Sequence, residues 1–194
     1  MKIDIKKLIL CIALPLLVGG LAGFLTRDSV EIYGMMNKPP LSPPGWLFPI
    51  VWTVLYILMG ISAYIVMTSE GDSQKKNQAL RTYYVQLFVN FMWPIFFFSF
   101  QWYGFALLWL LLLWILVARM VKQFGELSKV AAYLNFPYLL WLTFALYLNG
   151  GVVLGMKEYD YETLYFGKLA RIERFFGMKV HKWIWCLGQF SLFN

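Results

Sequence analysis

The chain has little of what most catalytic and metal-binding proteins are built from. Among its 194 residues there is one histidine, His181, and two cysteines, Cys11 and Cys186, set near opposite ends. A His-based triad and a multi-His metal centre are excluded. With no Cys-x-x-Cys and no Cys/His cluster, neither a zinc site nor a disulfide framework has ligands to build it. His181 by itself reads as an interfacial or solvent-facing residue. Charge is scarce as well: Asp, Glu, Lys and Arg make up 14% of the chain, where a soluble domain carries about a quarter. No acid, base or nucleophile pair falls inside the apolar runs, and no glycine loop could cradle a phosphate. Those absences weigh against hydrolytic and phosphoryl chemistry, and against a transporter coupled to protons or ions.

What the chain has instead is apolar and aromatic surface. Hydrophobic residues are 60%, Phe, Trp and Tyr alone 20%, and mean hydropathy is +0.62, which places it in the membrane class. From Trp46 to Thr68 there are 23 residues without an ionisable side chain. As a helix such a run reaches roughly 35 Å, enough to cross a hydrocarbon core of about 30 Å with some tilt. Five runs of this kind appear: Leu8–Leu25, Trp46–Thr68, Thr82–Phe98, Gly104–Ala118 and Val130–Leu154. The block Thr82–Ala118 holds 37 uncharged residues, too many for one span and right for two helices joined by a very short turn. The fold class expected is an all-α integral membrane protein, a five-transmembrane-helix bundle over residues 1–154 with a proline-rich first loop over a ligand pocket.

That loop holds Pro39, Pro40, Pro43 and Pro44, so it cannot be helical and forms a stiff lid beside the second span. The first span follows Lys6 and Lys7 like a signal peptide, but its length favours a retained helix. Pro15, Pro94 and Pro137 are expected to kink or open their helices, and Gly19 and Gly23 to permit close helix contact. Nine basic residues flank the spans on the N-terminal side and three on the other. This predicts a multi-pass protein of the bacterial cytoplasmic membrane with its N-terminus in the cytoplasm. The net charge of +7 is met by anionic lipid headgroups rather than nucleic acid. In the tail, 155–194, Tyr165, Leu169, Ile172 and Phe176 share a helical face. That pattern fits an interfacial amphipathic helix, with a loosely ordered tail as the alternative.

The polar groups inside the spans are few. Gln86 and Asn90 lie i, i+4 apart on one face, which Trp93 and Phe97 continue; Trp52 and Tyr56 repeat that spacing, and Trp141, Phe144, Ala145 and Leu148 share a face in the fifth span. Two accounts stay open on pattern alone: ordinary interhelical packing, or aromatic faces converging on a pocket.

With these residues in place the chain resembles the TspO/MBR family, the translocator proteins and tryptophan-rich sensory proteins. The likeness is carried by Tyr33, Lys38, Pro39, Pro43 and Pro44 in the first loop, and by Pro49, Val51, Trp52, Leu55, Tyr56, Met59 and Gly60 in the second span. Gln86, Leu87, Asn90, Trp93, Phe96 and Phe97 carry it in the third. In the fifth, Pro137, Tyr138, Leu139, Trp141, Phe144, Ala145, Leu148 and Asn149 do so. The chain departs from the pattern at Ile32 and at Pro40-Leu41, where the family has Trp and Ser-Trp. At Gly150 the Tyr of a proposed sterol motif is missing.

The resemblance implies a membrane receptor or sensor that binds protoporphyrin IX-like tetrapyrroles, and other flat apolar ligands, in regulating tetrapyrrole metabolism or stress responses. The implied ligand-binding residues are Tyr33, Pro43, Trp52, Asn90, Trp93, Trp141, Phe144, Ala145 and Leu148. It also admits a light-dependent porphyrin-degrading enzyme, in which Trp52 and Trp141 would be the catalytic residues, and a carrier of tetrapyrroles. The receptor reading is preferred to the enzyme. The implied partners are a porphyrin or other flat apolar small molecule, membrane lipid and a second copy in a homodimer. No cofactor, metal or nucleic acid is expected.

Overall fold

The computed structural model describes residues 3–27, 39–70 and 72–155. Tyr33, Lys38 and the whole tail, with its proposed interfacial helix, lie outside the described residues. Helix α1 spans Ile5–Thr26, α2 Leu47–Thr68, α3 Ser73–Pro94, α4 Tyr103–Leu127, α5 Lys129–Leu134 and α6 Phe136–Gly155. There is no strand among the described residues. Four helical stretches are long and apolar enough to cross a membrane: α1, α2, α4 and the combined run Lys129–Gly155. Helix α3 has the length, 22 residues, but begins with Lys75, Lys76 and Arg81 in its first half.

The helices outrun the uncharged stretches that announce them. Helix α3 starts well before Thr82, and α4 continues past Ala118 to Leu127. A helix need not stop where hydrocarbon stops, because long basic side chains extend toward headgroups while the backbone stays helical. Local chemistry sets the ends. Side chains of Asp4, Asp72 and Ser128 cap α1, α3 and α5 by accepting from the backbone N–H of Lys7, Gln74 and Ala131.

The three helix prolines act differently. Helix α1 runs through Pro15 without interruption. Pro94 ends α3, and the chain then widens into the π-helical turn Ile95–Ser99, where Phe100 N–H reaches the Ile95 carbonyl at 3.0 Å. Gln101 then takes φ 55°, a left-handed conformation that reverses the chain into α4. Pro137 sits in the first turn of α6, after the break at Asn135, whose Nδ2 donates to the Ala131 carbonyl at 2.9 Å.

Around the bundle α1 adjoins α2 and α3, α2 adjoins α5, and α4 adjoins α3, α5 and α6. The resulting ring runs α1, α2, α5/α6, α4, α3. Its centre is packed with Met59, Val66, Ala79, Val117, Met120, Phe124 and Leu142, all fully buried. Ile9, Leu10, Leu17 and Leu21 of α1 point outward, as a lipid-facing surface requires. Helices α1 and α2 cross closely at Gly60 of α2. A Cβ there would stand 2.5 Å from the Ile12 Cα, so only glycine lets the two backbones approach this far.

Candidate functional site

Three helices bring their polar residues together at the bundle centre. Tyr56 of α2 donates its hydroxyl to Asn90 Oδ1 of α3 at 2.8 Å. Asn90 Nδ2 donates to the Tyr138 hydroxyl of α6 at 2.7 Å. Tyr138 donates in turn to Gln86 Oε1 at 3.1 Å, and Gln86 Nε2 reaches the Met59 sulfur at 3.8 Å. In this chain each hydroxyl donates once, which fixes the orientation of both amides. All four polar residues are buried, and a buried group left unmatched here would cost more than the bond it makes.

On one side of this network the helices part to leave a cavity of about 360 Å³. Trp52, Phe48 and Tyr56 of α2 form one wall, Asn90, Trp93 and Phe98 from α3 and its turn another, and Trp141 and Ala145 of α6 a third. Helix α1 lines the fourth side with Leu16, Gly19, Gly20, Ala22, Gly23 and Thr26. The rings are held by one another. Trp52 stacks on Tyr56 at 5.5 Å and meets Tyr138 edge-on at 6.0 Å. Trp93 stacks on Phe97 at 5.1 Å, and Trp141 meets Phe48 edge-on at 5.8 Å. Among the described residues no charged side chain lines the cavity. The buried Trp93 Nε1 has no acceptor among the described residues.

Of the residues expected at the site, Trp52, Asn90, Trp93, Trp141 and Ala145 border this cavity. Phe144 and Leu148 do not. Phe144 packs between Trp141 and Tyr147, with ring centroids 5.7 and 6.2 Å away, and Leu148 is buried. The shared helical face explains both: it is broader than the part of α6 the cavity touches. Pro43 lies in the loop without bordering the cavity, and Tyr33 is outside the described residues. Of the Gly19/Gly23 pair only Gly19 sits at a close helix contact. Gly19 packs against the Tyr56 ring, while a Cβ at Gly23 would meet no described residue within 4 Å. Sequence reasoning passed over the α1 wall and Tyr138. A helix with glycines opposite a Trp/Tyr face was the available signal for the first, and a tyrosine beside buried amides for the second.

The loop is tied down over α6. Tyr147 donates its hydroxyl to the Pro40 carbonyl at 2.8 Å, and the Pro39 ring lies so close to Gly151 that a Cβ there would approach it to 2.5 Å. Leu41, 84% exposed, takes φ 66° at the tip of this turn.

Four helical stretches of membrane length and apolar composition, in a bundle that holds an aromatic-lined cavity, define a multi-pass integral membrane protein. The comparisons give its family. The TspO/MBR family model matches residues 11–154, and the chain belongs to that family. It is 38% identical over 151 residues to the tryptophan-rich protein TspO of Chlorobaculum tepidum, covering 77% of this chain and 95% of that one. It is 40% identical over 119 residues to the tryptophan-rich sensory protein of Cereibacter sphaeroides, covering 61% and 73%. Against the translocator protein of Bos taurus it is 37% identical over 138 residues, covering 70% and 82%.

Proposed function

We propose that this protein is a membrane receptor or sensor whose cavity takes a flat, apolar ligand of the tetrapyrrole class, with protoporphyrin IX as the reference compound. The observation that carries this reading is the cavity wall, in which Trp52, Trp93 and Trp141 come from three different helices, with no charge among the described lining residues. A cavity of 360 Å³ is at the lower end of small-molecule sites, which span roughly 300–1,000 Å³. A tetrapyrrole therefore inserts part of its ring and leaves an edge in the mouth. Trp93 Nε1 offers one hydrogen bond to an acceptor on the ring. In this reading α3 with its wide turn is the fifth span, the N-terminus is cytoplasmic, and the membrane is the bacterial cytoplasmic one.

The test is titration of the purified protein with protoporphyrin IX in darkness, read by tryptophan quenching. Each aromatic contact contributes about 0.5–1.5 kcal/mol beyond the area it buries. Trp141→Ala and Trp93→Ala should each weaken binding several-fold, since 1.4 kcal/mol is about tenfold. Unchanged affinity in both folded variants rejects the site.

A second reading, photo-oxidation of the bound porphyrin, is favoured by one contact. Trp52 borders the cavity and stacks on Tyr56, so its indole can give one electron to an excited porphyrin, which hands it to dissolved oxygen; the indole is left one electron oxidised and the reduced oxygen species is the oxidant of the ring. Under this reading Trp52→Phe and Trp141→Phe keep dark binding and slow the light-driven loss of the Soret band. Equal bleaching by wild type and variants leaves the receptor reading alone.

A further inference from the structure

The glycines of α1 and α2 act as rulers along the seam between these two helices. At Gly60 the backbones touch, with a Cβ placed there lying 2.5 Å from Ile12 Cα and 2.6 Å from the Cys11 carbonyl oxygen. Nearer the loop end, at Gly19, a Cβ would fall 2.0 Å from the Tyr56 ring, so the seam is still shut. One residue later it opens. Cβ atoms at Gly20 and Gly23 would meet no described residue within 4 Å, both residues are exposed, and both line the cavity. Across the gap on α2 stand Pro49 and Thr53, also exposed and also cavity-lining.

The level of this gap decides what it faces. Gly20 is six residues before the end of α1 and Thr53 six residues after the start of α2, which is about 9 Å along each axis. Both helices are apolar enough to cross a membrane. Their outer sides at this level present Leu17, Leu21 and Phe24 on α1 and Ile50 and Val54 on α2, all exposed. Thr53 adds no polarity, since its hydroxyl is spent on the Pro49 carbonyl at 2.7 Å. The opening runs from Gly23 and Pro49, within a turn of the helix ends, to Gly20 and Thr53, about 9 Å inside them, and at that inner level its apolar rim meets acyl chains.

We propose that the seam between α1 and α2, closed below Gly19 and open from Gly20 to Gly23, is the entrance to the cavity, and that its ligands arrive dissolved in the bilayer. This rests on the binding reading above. It adds that the ligand class is defined by membrane partitioning as well as by flatness, and that the proline loop anchored by Tyr147 is a roof and not the door. A bulky side chain at the rim obstructs passage in both directions, so it slows entry and exit together. A damaged cavity behaves otherwise, releasing ligand faster.

The experiment uses the full chain in phosphatidylcholine vesicles, with protoporphyrin IX as probe and stopped-flow tryptophan quenching as readout. For wild type, the association rate should follow the porphyrin-to-lipid ratio when vesicle concentration is varied at constant total porphyrin. Gly20→Leu and Gly23→Leu should slow association about tenfold or more and slow dissociation as well. Gly150→Leu, where a Cβ also meets open space but outside the cavity, should leave both rates unchanged. The wild-type arm needs no variant, so a misfolded glycine substitution does not spare the proposal. It is overturned if association follows free aqueous porphyrin, or if the rim variants bind at wild-type rates. Absence of wild-type quenching at any porphyrin concentration defeats the binding reading itself, a separate and recognisable result.

Discussion

Removing the Tyr138 hydroxyl is the sharpest perturbation of the buried network. Tyr138→Phe keeps the ring and its edge contact with Trp52 but deletes an oxygen that accepts from Asn90 Nδ2 at 2.7 Å and donates to Gln86 Oε1 at 3.1 Å. Asn90 is 3% exposed and Gln86 0%, so neither amide finds water in exchange. Interhelical hydrogen bonds in membranes average about 0.6 kcal/mol with a maximum near 1.7. Two lost bonds therefore cost about 1–3 kcal/mol. Tyr56→Phe deletes only the donor to Asn90 Oδ1, at 2.8 Å, and should cost about half as much. Reversible unfolding in mixed detergent and SDS, followed by tryptophan fluorescence, measures both. The expected order is Tyr138→Phe well below Tyr56→Phe, itself below wild type. Equal midpoints for the two variants, or a reversed order, would show that Tyr138 is not the hub of the network.

Three further outcomes follow from single contacts. Gly60→Ala forces α1 away from α2, because the added carbon would meet backbone that cannot rotate aside; the same unfolding assay should show a loss of about 1–3 kcal/mol, against almost none for Gly150→Ala. Tyr147→Phe frees the loop from α6 by removing the 2.8 Å bond to Pro40, so backbone hydrogen exchange at Leu41 and Ser42 should accelerate while the helices keep their protection. Asp4 is held below its ordinary carboxylate value, chiefly by the Lys7 backbone N–H that it accepts at 3.2 Å. A lowered folded value means the cap is intact above the ordinary value near 3.8 and is lost as pH falls through the lower folded one. NMR shifts of the first turn of α1 should therefore be flat near pH 5 and move below about pH 4, a transition that Asp4→Ala abolishes.

The helices were legible because uncharged runs of membrane length have few other uses, and the spacing of Trp52, Asn90, Trp93, Trp141 and Ala145 put them on faces that do meet. What escaped the sequence is how the helices approach. That Gly60 sits on the α1 backbone while Gly23 faces open space depends on the tilt between α1 and α2, and both positions read alike as small residues in an apolar run. The left-handed Gln101 and the wide turn after Pro94 likewise carry no turn motif in the sequence, since neither a glycine nor an asparagine marks the reversal. Phe144 and Leu148 were placed at the site because periodicity gives a face, and a face is wider than a cavity. Tyr138 was visible only as part of the family pattern; its role as the junction of two amides needs the third dimension.

The central claim, that the aromatic cavity holds the ligand, is tested most directly by filling it. Ala145 is 8% exposed and borders the cavity, whereas Leu140 on the same helix is 69% exposed. Ala145→Phe and Leu140→Phe therefore place the same ring inside and outside the bundle. Protoporphyrin IX titrated in darkness against both folded, membrane-inserted proteins should bind Leu140→Phe as it binds wild type and fail to bind Ala145→Phe. Wild-type affinity in Ala145→Phe would contradict the account.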